Sequence, residues 1–334
     1  MRFAYLINAH KNAKHVLRLI DQLNNDHTDF VVHVSKVCDA GFWKEIKKIT
    51  ASYKNVYFCK RERSIHNGFA IVQATINGME TLINVGSKFD YFHLLSGQDY
   101  PIKKNKEIFD FFEKNKGKEY MYYWKMFPNK GEADFENHPW GEQRQKYRLN
   151  RFCFPWLGET FIIPELLSRR LLNHSLYKTL KIFLYDFKKY RKKGTVKDEF
   201  SRLFFSRILP QERDHNVDFV FYGGKTWFSF TRELIEYIIS EHKNNIKWKK
   251  FYKYSLIPDE MYFHTITMNS KFAINVENNY LREVEWGGGD GSHPIIWKKK
   301  DFERLCSTKS FWARKFEDEI DSQILDLIDD ELLN

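Results

Sequence analysis

The first 125 residues alternate short β-rich runs with helical patterns, and this alternation restricts the chain to few folds. Apolar runs at residues 3–9, 30–34 and 91–95 predict buried strands. Apolar residues with helical spacing follow, most clearly over residues 69–85. This alternation of strand and helix patterns predicts an α/β fold with a mostly parallel central sheet flanked by helices. Ligands of open sheets of this kind bind beyond the carboxyl ends of the strands.

The remaining chain continues the same pattern after an irregular middle segment, and we predict one domain over residues 1–334. Within it, residues 1–125 form a Rossmann-like nucleotide-binding half. Residues 126–222 form a helical insertion, which we predict to build the pocket for the acceptor of a transferred group. Residues 223–334 form a catalytic half that ends in an amphipathic helix. This half is predicted to contain strands at residues 226–230 and 272–276 and a helix that begins near Pro258. The chain lacks G-x-G-x-x-G after its first strand and G-x-x-x-x-G-K-[ST] throughout, which disfavours dinucleotide-binding and P-loop folds.

The formal net charge is +10, and a basic protein attracts phosphate groups. The lysines are spread along the chain, which argues against nucleic acid as a partner. The four cysteines lack metal-site spacing, and no stretch reaches the roughly 20 apolar residues of a membrane-spanning helix. We therefore predict a cytoplasmic protein in peripheral contact with the anionic inner face of the cytoplasmic membrane. The alternative is a solvated, lysine-rich surface.

The segment Pro258-Asp259-Glu260 has the pattern of a helix start, with proline followed by two acids. The positive end of a helix stabilises such acids, and in many proteins they have no other role. The same electrostatics favours the carboxylate form, which a general base needs. Inverting glycosyl transfer requires one base to take the proton of the acceptor hydroxyl, and we predict that Glu260 is this base.

A departing diphosphate gains negative charge in the transition state, so a cation must lie close to it. Asp-x-Asp, the simplest metal-binding pattern of such enzymes, is missing from the sequence. Basic side chains among aromatic ones are present instead, at Arg282 and at the pair Arg314-Lys315. We predict that these three residues bind the diphosphate and that the enzyme needs no metal and no other cofactor.

Polar residues that follow two predicted strands are candidates for binding the nucleoside. Ser96 and Asp99 belong to the turn after the strand at residues 91–95, and His10 follows the first strand. A tight turn closed by Pro101 is the alternative interpretation of the Ser96–Asp99 segment. Sugar rings stack on aromatic side chains, so we also predict acceptor contacts. The predicted acceptor residues are Trp140, Glu142, Arg144, Trp227 and Trp286.

These motifs, in this order, resemble the core-2/I-branching β-1,6-N-acetylglucosaminyltransferase family (glycosyltransferase family 14), which also contains the peptide O-xylosyltransferases. The matching segments lie at residues 4–11, 94–103, 224–237, 258–260, 292–294 and 311–316. Residue 35 departs from the pattern, because Ser35 stands where animal members have an aspartate.

The resemblance implies a GT-A-like variant fold, a UDP-sugar donor and a mechanism without a divalent metal. The family's base falls on Glu260, its diphosphate-binding lysine on Lys315, its diphosphate-binding arginine on Arg282 and its nucleoside-contacting aspartate on Asp99. Animal members carry a membrane anchor and disulfides, which this sequence does not show, so the resemblance favours a bacterial member.

The sequence therefore predicts an inverting, metal-independent glycosyltransferase that moves a sugar, expected to be GlcNAc, from UDP to a glycan hydroxyl. The β-linked product would belong to a surface polysaccharide or a lipooligosaccharide. Three alternatives stay open: a xylosyltransferase-like enzyme that uses UDP-xylose, a non-catalytic basic binder of nucleic acid or anionic membrane, and a metal-dependent transferase with ligands distant in sequence.

Overall fold

The computed structural model of the protein describes residues 1–64, 68–130, 132, 139–140, 145, 148–149, 153–156, 159–162, 217–288 and 293–334. The strands are β1 (Phe3–Ala9), β2 (Thr28–Val34), β3 (Val56–Phe58), β4 (Tyr91–Ser96), β5 (Asp99–Pro101), β6 (Glu119–Lys125), β7 (Cys153–Trp156), β8 (Glu159–Ile162), β9 (Tyr222–Thr231), β10 (Val276–Asn278), β11 (Arg282–Val284), β12 (Trp286–Gly288), β13 (His293–Pro294) and β14 (Trp312–Arg314). The helices are α1 (Ala13–Leu23), α2 (Ala40–Ile49), α3 (Ala70–Asn84), α4 (Asn105–Lys114), α5 (Arg232–Asn244), α6 (Ile246–Tyr252), α7 (Tyr262–Met268), α8 (Phe302–Ser307) and α9 (Gln323–Ile328).

The described residues form a seven-stranded sheet with the order β10-β6-β9-β4-β1-β2-β3. Strand β1 pairs in parallel with β2 and β4, β2 pairs in parallel with β3, and β6 pairs in parallel with β10. Strand β9 is antiparallel to both of its neighbours, β4 and β6. The predicted α/β fold with a mostly parallel central sheet flanked by helices is confirmed.

The sheet separates two apolar cores, because successive side chains of a strand point to opposite faces. Phe3, Tyr5 and Ile7 belong to the core under α1, α4 and α9, whereas Ala4 and Leu6 belong to the core under α3, α5 and α7. Strand β1 is buried on both faces, which explains why it is a continuous apolar run rather than an alternating one.

Three predicted elements differ from the structure. Residues 271–275 form a 3-10 turn. Of the strand predicted at 272–276, only residue 276 lies in a strand, which is β10. Pro258–Glu260 is also a 3-10 turn, and the helix predicted near Pro258 begins at Tyr262. The predicted terminal helix is divided into α9 and a π-helical turn, with Ile320 exposed. The apolar spacing was consistent with the predictions, but the local backbone differs: the Ser270 hydroxyl accepts from the Phe272 N–H and caps the first turn, and Ile257 has a positive φ of 52° before Pro258. Most of the predicted insertion at 126–222 lies outside the described residues, and the three-part division stays a prediction.

A second, three-stranded sheet joins two of the sequence motifs. Strand β14 pairs in parallel with β11 and in antiparallel orientation with β5. The register places Arg314 opposite Asp99 and Trp312 opposite Pro101. Segments separated by more than 200 residues in the sequence therefore lie side by side at the carboxyl end of β4.

Strands β4 and β9 separate toward this end, and the guanidinium of Arg282 fills the gap between them. Their pairing stops at His93 and Ser229. Beyond that point, Nη2 of Arg282 donates to the carbonyl oxygens of Leu94 and Phe228, at 3.2 and 3.3 Å. Nη1 donates to the Ser229 hydroxyl at 2.9 Å and to the Tyr280 carbonyl at 2.7 Å. Arg282 thus replaces the missing strand-to-strand hydrogen bonds and allows the two strand ends to diverge.

Glu119, the first residue of β6, is a buried carboxyl at the opposite end of the sheet. Its buried carboxyl accepts from the backbone N–H and the hydroxyl of Thr231, at 2.8 and 2.5 Å. Burial, only partly offset by these bonds, raises the pKa of Glu119 from 4.5 to about 7. Between these two values the folded state retains a proton that the unfolded state has lost, so this group's contribution to stability falls as pH rises.

We expect the free energy of unfolding of wild type, relative to that of Glu119→Gln, to fall by about 3 kcal/mol between pH 4.5 and 8, because one pKa unit corresponds to about 1.4 kcal/mol. Urea unfolding of both proteins across this range measures the difference, and taking the difference cancels the other titrating groups. A constant difference at every pH would show that Glu119 titrates alike in the folded and unfolded states.

Candidate active site

Strand β9 contains an irregularity that shapes the candidate site. The pairs Met121↔Phe228 and Tyr123↔Gly224 show that two steps along β6 are matched by four steps along β9. Lys225, Thr226 and Trp227 lie opposite the single residue Tyr122, so β9 has two extra residues here. Bulges of this kind redirect side chains and commonly lie next to active sites. Gly224 allows the close approach, because a Cβ there would collide with the Tyr122 carbonyl and the His264 ring.

Glu260 lies at the end of the 3-10 turn before α7, beside this bulge. Its Oε2 accepts from Nη1 of Arg148 at 2.5 Å, and the two side chains are 17% and 15% exposed. The Arg148 guanidinium in turn lies 3.7 Å from the centre of the Trp140 ring. The carboxylate is therefore almost enclosed but remains accessible from one side.

The electrostatics at Glu260 differ from the expectation of a stabilised carboxylate at a helix end. Burial raises the pKa of the Glu260 carboxyl, the nearby Asp259 raises it further, and Arg148 and Lys225 lower it in part. The predicted sign was wrong because α7 starts beyond Glu260 and desolvation exceeds the remaining helix-end effect. A raised pKa still suits a general base, since proton transfer is most efficient when the pKa lies near the working pH.

The bulge connects the base to a second cation. Nζ of Lys225 lies 4.7 Å from the centre of the Trp286 ring, and burial lowers the pKa of Lys225 while the nearby Glu260 opposes this change. The next residue, Thr226, donates its hydroxyl to Asp259 at 3.0 Å, which fixes the 3-10 turn at Pro258–Glu260 to β9. Trp286 is 47% exposed and offers a ring face at the same side of the molecule.

Arg314 forms the other end of the site. Its Nη1 donates to Asp99 Oδ1 at 2.8 Å and to the Ser96 hydroxyl, and its guanidinium lies 4.9 Å from the centre of the Trp227 ring. Asp99 also accepts from the Ser96 backbone N–H at 2.8 Å and from its hydroxyl at 2.9 Å, and is 1% exposed. The Asp99 carboxylate therefore holds Arg314 and has little surface left for a nucleoside.

Lys315 lies beside Arg314 in a cluster of opposite charges. Glu317 accepts from Lys11 at 2.5 Å and from the Gln98 amide at 2.6 Å, and its carboxylate is 3.3 Å from Nζ of Lys315. Burial opposes ionisation of Glu317, but Lys11 and Lys315 keep its pKa below the usual range. The ring of His10 is close to the same cations, and desolvation followed by their charges lowers its pKa, so that it is neutral at physiological pH.

Two consecutive residues of β9, Thr226 and Trp227, each contact one end of the site. Thr226 contacts Asp259, next to the base, whereas Trp227 contacts Arg314. Consecutive Cα atoms are about 3.8 Å apart, so the two contacts begin within a distance comparable to one sugar ring. At the far end, three cations (Arg314, Lys315 and Lys11) meet two carboxylates, which leaves an excess positive charge.

The structure brings most of the predicted site residues together, whereas Arg282 and Trp140 are largely buried. His10, Ser96, Asp99, Trp227, Arg314 and Lys315 belong to one end of the site, and Glu260 and Trp286 belong to the other. Arg282 is 3% exposed, and its guanidinium is occupied by four protein acceptors below the site. Trp140 is 8% exposed and packs edge-on against Trp124, so its accessible ring area is small. Glu142 and Arg144 lie outside the described residues.

Sequence reasoning missed Arg148 and Lys225. The segment from 144 to 151 contains three arginines, and nothing in their spacing distinguishes Arg148 as the one that reaches Glu260. Lys225 had a weak signal, because it directly follows two glycines that lead into a predicted strand in Gly223-Gly224-Lys225-Thr226-Trp227. Glycine inside a strand can indicate a bulge.

Two searches of the described residues concern metals and membranes. No group of three His, Cys, Asp or Glu side chains within that part of the chain is arranged to hold a metal ion. None of its helices has the length and apolar character needed to span a bilayer.

The chain is similar in sequence to animal xylosyltransferases. It is 26% identical to Xylosyltransferase 2 of Homo sapiens and 25% identical to that of Mus musculus, in each case over 350 aligned positions that cover 98% of this chain and 33% of the relative. Xylosyltransferase of Ciona intestinalis is 23% identical, over 99% of this chain and 34% of its own. The chain thus spans about a third of the length of these relatives.

Among solved structures, the mannosyltransferase Ktr4p from S. cerevisiae in complex with GDP has a distant similarity. The TM-score is 0.32 and the identity is 11%, with 79% of this chain and 66% of that chain covered. The family model described as Branch: Core-2/I-Branching enzyme matches residues 3–133 and 170–309, which is well over half of the sequence. The chain therefore belongs to the Core-2/I-Branching enzyme family.

Proposed function

We propose that the protein is a glycosyltransferase of GT-A-like fold that transfers a sugar from a UDP-sugar to a glycan hydroxyl, with inversion to a β-linkage and without a metal ion. One observation carries the proposal: two consecutive residues of β9 link the two ends, because Thr226 bonds to Asp259, beside the nearly enclosed carboxylate of Glu260, and Trp227 stacks with Arg314, beside Lys315. A base at one end and cations at the other are what an acceptor hydroxyl and a departing diphosphate require.

The proposed step uses these groups directly. The acceptor oxygen bonds to the anomeric carbon while its proton moves to the Glu260 carboxylate. The bond between the anomeric carbon and the phosphate oxygen breaks, and its electron pair leaves with UDP. In this proposal Lys315 and Arg314 stabilise the new phosphate charge, and Lys11 adds a third cation. Arg282 is not included, because it is buried among backbone carbonyls.

GlcNAc is the first donor sugar we propose, from the family, and xylose is the second, because similar proteins are named xylosyltransferases. We further propose that the product belongs to a bacterial surface polysaccharide or lipooligosaccharide. This assignment places the acceptor on the cytoplasmic side of the membrane, where such chains are built on lipid carriers.

The experiment that tests this function measures UDP release from a panel of UDP-sugars in excess EDTA, with calorimetric titration of UDP under the same conditions. We expect release from UDP-GlcNAc or UDP-xylose on addition of acceptor glycans, and UDP binding without metal. In Glu260→Gln, which preserves shape but removes the base, turnover should fall about 100- to 10,000-fold while UDP binding persists.

Three outcomes would change the proposal. Turnover of Glu260→Gln within tenfold of wild type would remove Glu260 from this role. Binding or activity that appears only after manganese is added would retain the transferase and refute the metal-free mechanism. Absence of UDP binding in either condition, with salt-sensitive binding of nucleic acid or anionic lipid instead, would favour a non-catalytic binder.

Lys315 and Arg282 give contrasting predictions. Lys315→Ala should weaken UDP binding at least tenfold with little change in melting temperature, because its side chain lies at the surface of the site next to Glu317. Arg282→Met should lower the melting temperature strongly, because removing a buried charge leaves carbonyl oxygens unpaired and costs about 3–5 kcal/mol. Calorimetry and thermal unfolding of both variants test the assignment. The reverse pattern would return the diphosphate role to Arg282.

We also propose that α6 is the surface through which the protein contacts anionic lipid. Ile246, Lys249, Lys250 and Lys253 follow helical spacing and form its outer stripe, whereas Trp248, Phe251 and Tyr252 are buried on the opposite side. Ile246 is 76% exposed. No acidic residue occurs between Glu241 and Asp259, so the stripe combines an exposed apolar side chain with uncompensated local positive charge.

Replacing Lys249, Lys250 and Lys253 by glutamine should weaken binding to phosphatidylglycerol vesicles about 100-fold, since each lysine near an anionic surface contributes about 1 kcal/mol. The matched control replaces Lys44, Lys47 and Lys48, three exposed lysines of α2, by glutamine. Vesicle co-sedimentation measures both. Equal losses in the two triple variants would mean that total charge rather than the α6 stripe determines the binding.

A further inference from the structure

Arg148 connects the segment on the acceptor side of the site to the catalytic turn. Its Nη1 lies 2.5 Å from Oε2 of Glu260, and its guanidinium stacks at 3.7 Å from the centre of the Trp140 ring. The backbone is fixed as well, because the N–H of Leu256 donates to the Arg148 carbonyl at 3.3 Å. The next residue, Leu149, is fully buried in the core. Arg148 is thus held by its backbone, its stack and its ion pair.

This geometry treats the two oxygens of Glu260 differently. Oε2 is occupied by Arg148, whereas Oε1 has no hydrogen-bond donor among the residues that the structure describes. The Glu260 side chain retains 17% exposure, so an acceptor hydroxyl can approach the unoccupied oxygen. An arginine that binds one carboxylate oxygen fixes the plane of the carboxylate and thereby the direction of the other oxygen's lone pairs.

We propose that Arg148 is the positioning residue of the Glu260 base: it fixes Oε2, keeps the carboxylate ionised and leaves Oε1 to accept the proton of the acceptor hydroxyl. This inference rests on the proposed function for its catalytic meaning. It goes further by assigning control of the base to Arg148, in the acceptor-side segment, rather than to the residues of the 3-10 turn or of the helix that follows.

The charges that face Glu260 determine the direction of the effect. Arg148 and Lys225 are the cations that stabilise its carboxylate, whereas Asp259 and burial favour the protonated form. Removing Arg148 leaves Lys225 as the remaining cation, and it interacts with Glu260 without a direct hydrogen bond in the described structure. The carboxyl would then hold its proton to higher pH, and a protonated carboxyl cannot act as the base.

The decisive variants are Arg148→Met and Arg148→Gln, which are neutral, and Arg148→Lys, which keeps the charge. The control is Arg232→Met, because Arg232 also lies over an aromatic ring (Phe89, 5.1 Å) and pairs with a glutamate (Glu236, 2.8 Å) but belongs to the opposite end of β9. The pH profile of kcat/KM is measured for each variant with whichever UDP-sugar of the panel supports UDP release.

An opposite charge at hydrogen-bonding distance lowers a carboxyl pKa by about one to three units. We therefore expect the acidic limb of the neutral variants to move to higher pH by about that amount, with activity regained as the pH is raised. Arg148→Lys should keep the limb close to wild type, UDP affinity should be unchanged in all variants, and Arg232→Met should show the wild-type profile. An equal loss at every pH, or a limb that moves as far in Arg148→Lys as in Arg148→Met, would overturn the inference.

A second measurement separates this inference from the proposed function. Carbon-13 NMR of glutamate carboxyls, with Glu260 assigned by comparison with Glu260→Gln, follows its titration directly. If no donor is turned over but the Glu260 titration moves to higher pH in Arg148→Met, the glycosyltransferase proposal fails while the control of Glu260 by Arg148 stands. If the titration does not move, the inference fails whatever the activity.

Discussion

The candidate site depends on a buried arginine that takes the place of a pair of strand hydrogen bonds. Burying a guanidinium costs several kcal/mol, and here four hydrogen bonds from the charged group, each worth about 1.5–3 kcal/mol, oppose that cost. Burial lowers the pKa of Arg282 to about 9, so it remains charged at neutral pH. With Arg282 in the gap, β4 and β9 diverge without unpaired carbonyls, and the space between their ends becomes the site.

The two ends of the site have opposite electrostatic requirements, and the structure meets them with different means. At the base, burial and the neighbouring Asp259 keep the pKa of Glu260 above its usual range, and Arg148 limits the rise. At the other end, carboxylates hold the cations in place: Asp99 fixes Arg314, and Glu317 lies between Lys11 and Lys315. A bound phosphate would compete with Glu317 for the same two ammonium groups, so these lysines are positioned before any donor binds.

Apolar runs and helical spacing were sufficient to predict the sheet, because a strand that is buried on both faces has a continuous run of apolar residues. The cation end was predicted only as separate motifs: β5 and β14 each carry a compact motif, but the register that pairs Asp99 with Arg314 is visible only in the fold. Arg282 illustrates the limit. An arginine among aromatic residues has the same pattern whether it faces a ligand or fills a gap between strands, and only the position of the strand ends distinguishes the two. The predicted direction of the Glu260 pKa shift was wrong for a similar reason, because burial of a side chain is a property of the assembled fold.

The base end is built from residues that lie far apart in sequence: Arg148, Lys225 and Glu260 come from three separate segments. The cation end comes from β5, β14 and their flanking residues, which contact one another through backbone pairing. A change at Arg148 can therefore leave the cation end intact while it alters the surroundings of Glu260, because the two side chains are in direct contact. In the proposed enzyme, selection of the acceptor and the protonation state of the base are consequently coupled. A variant segment that accepts a different glycan must also supply a cation for Glu260 or work at a higher pH.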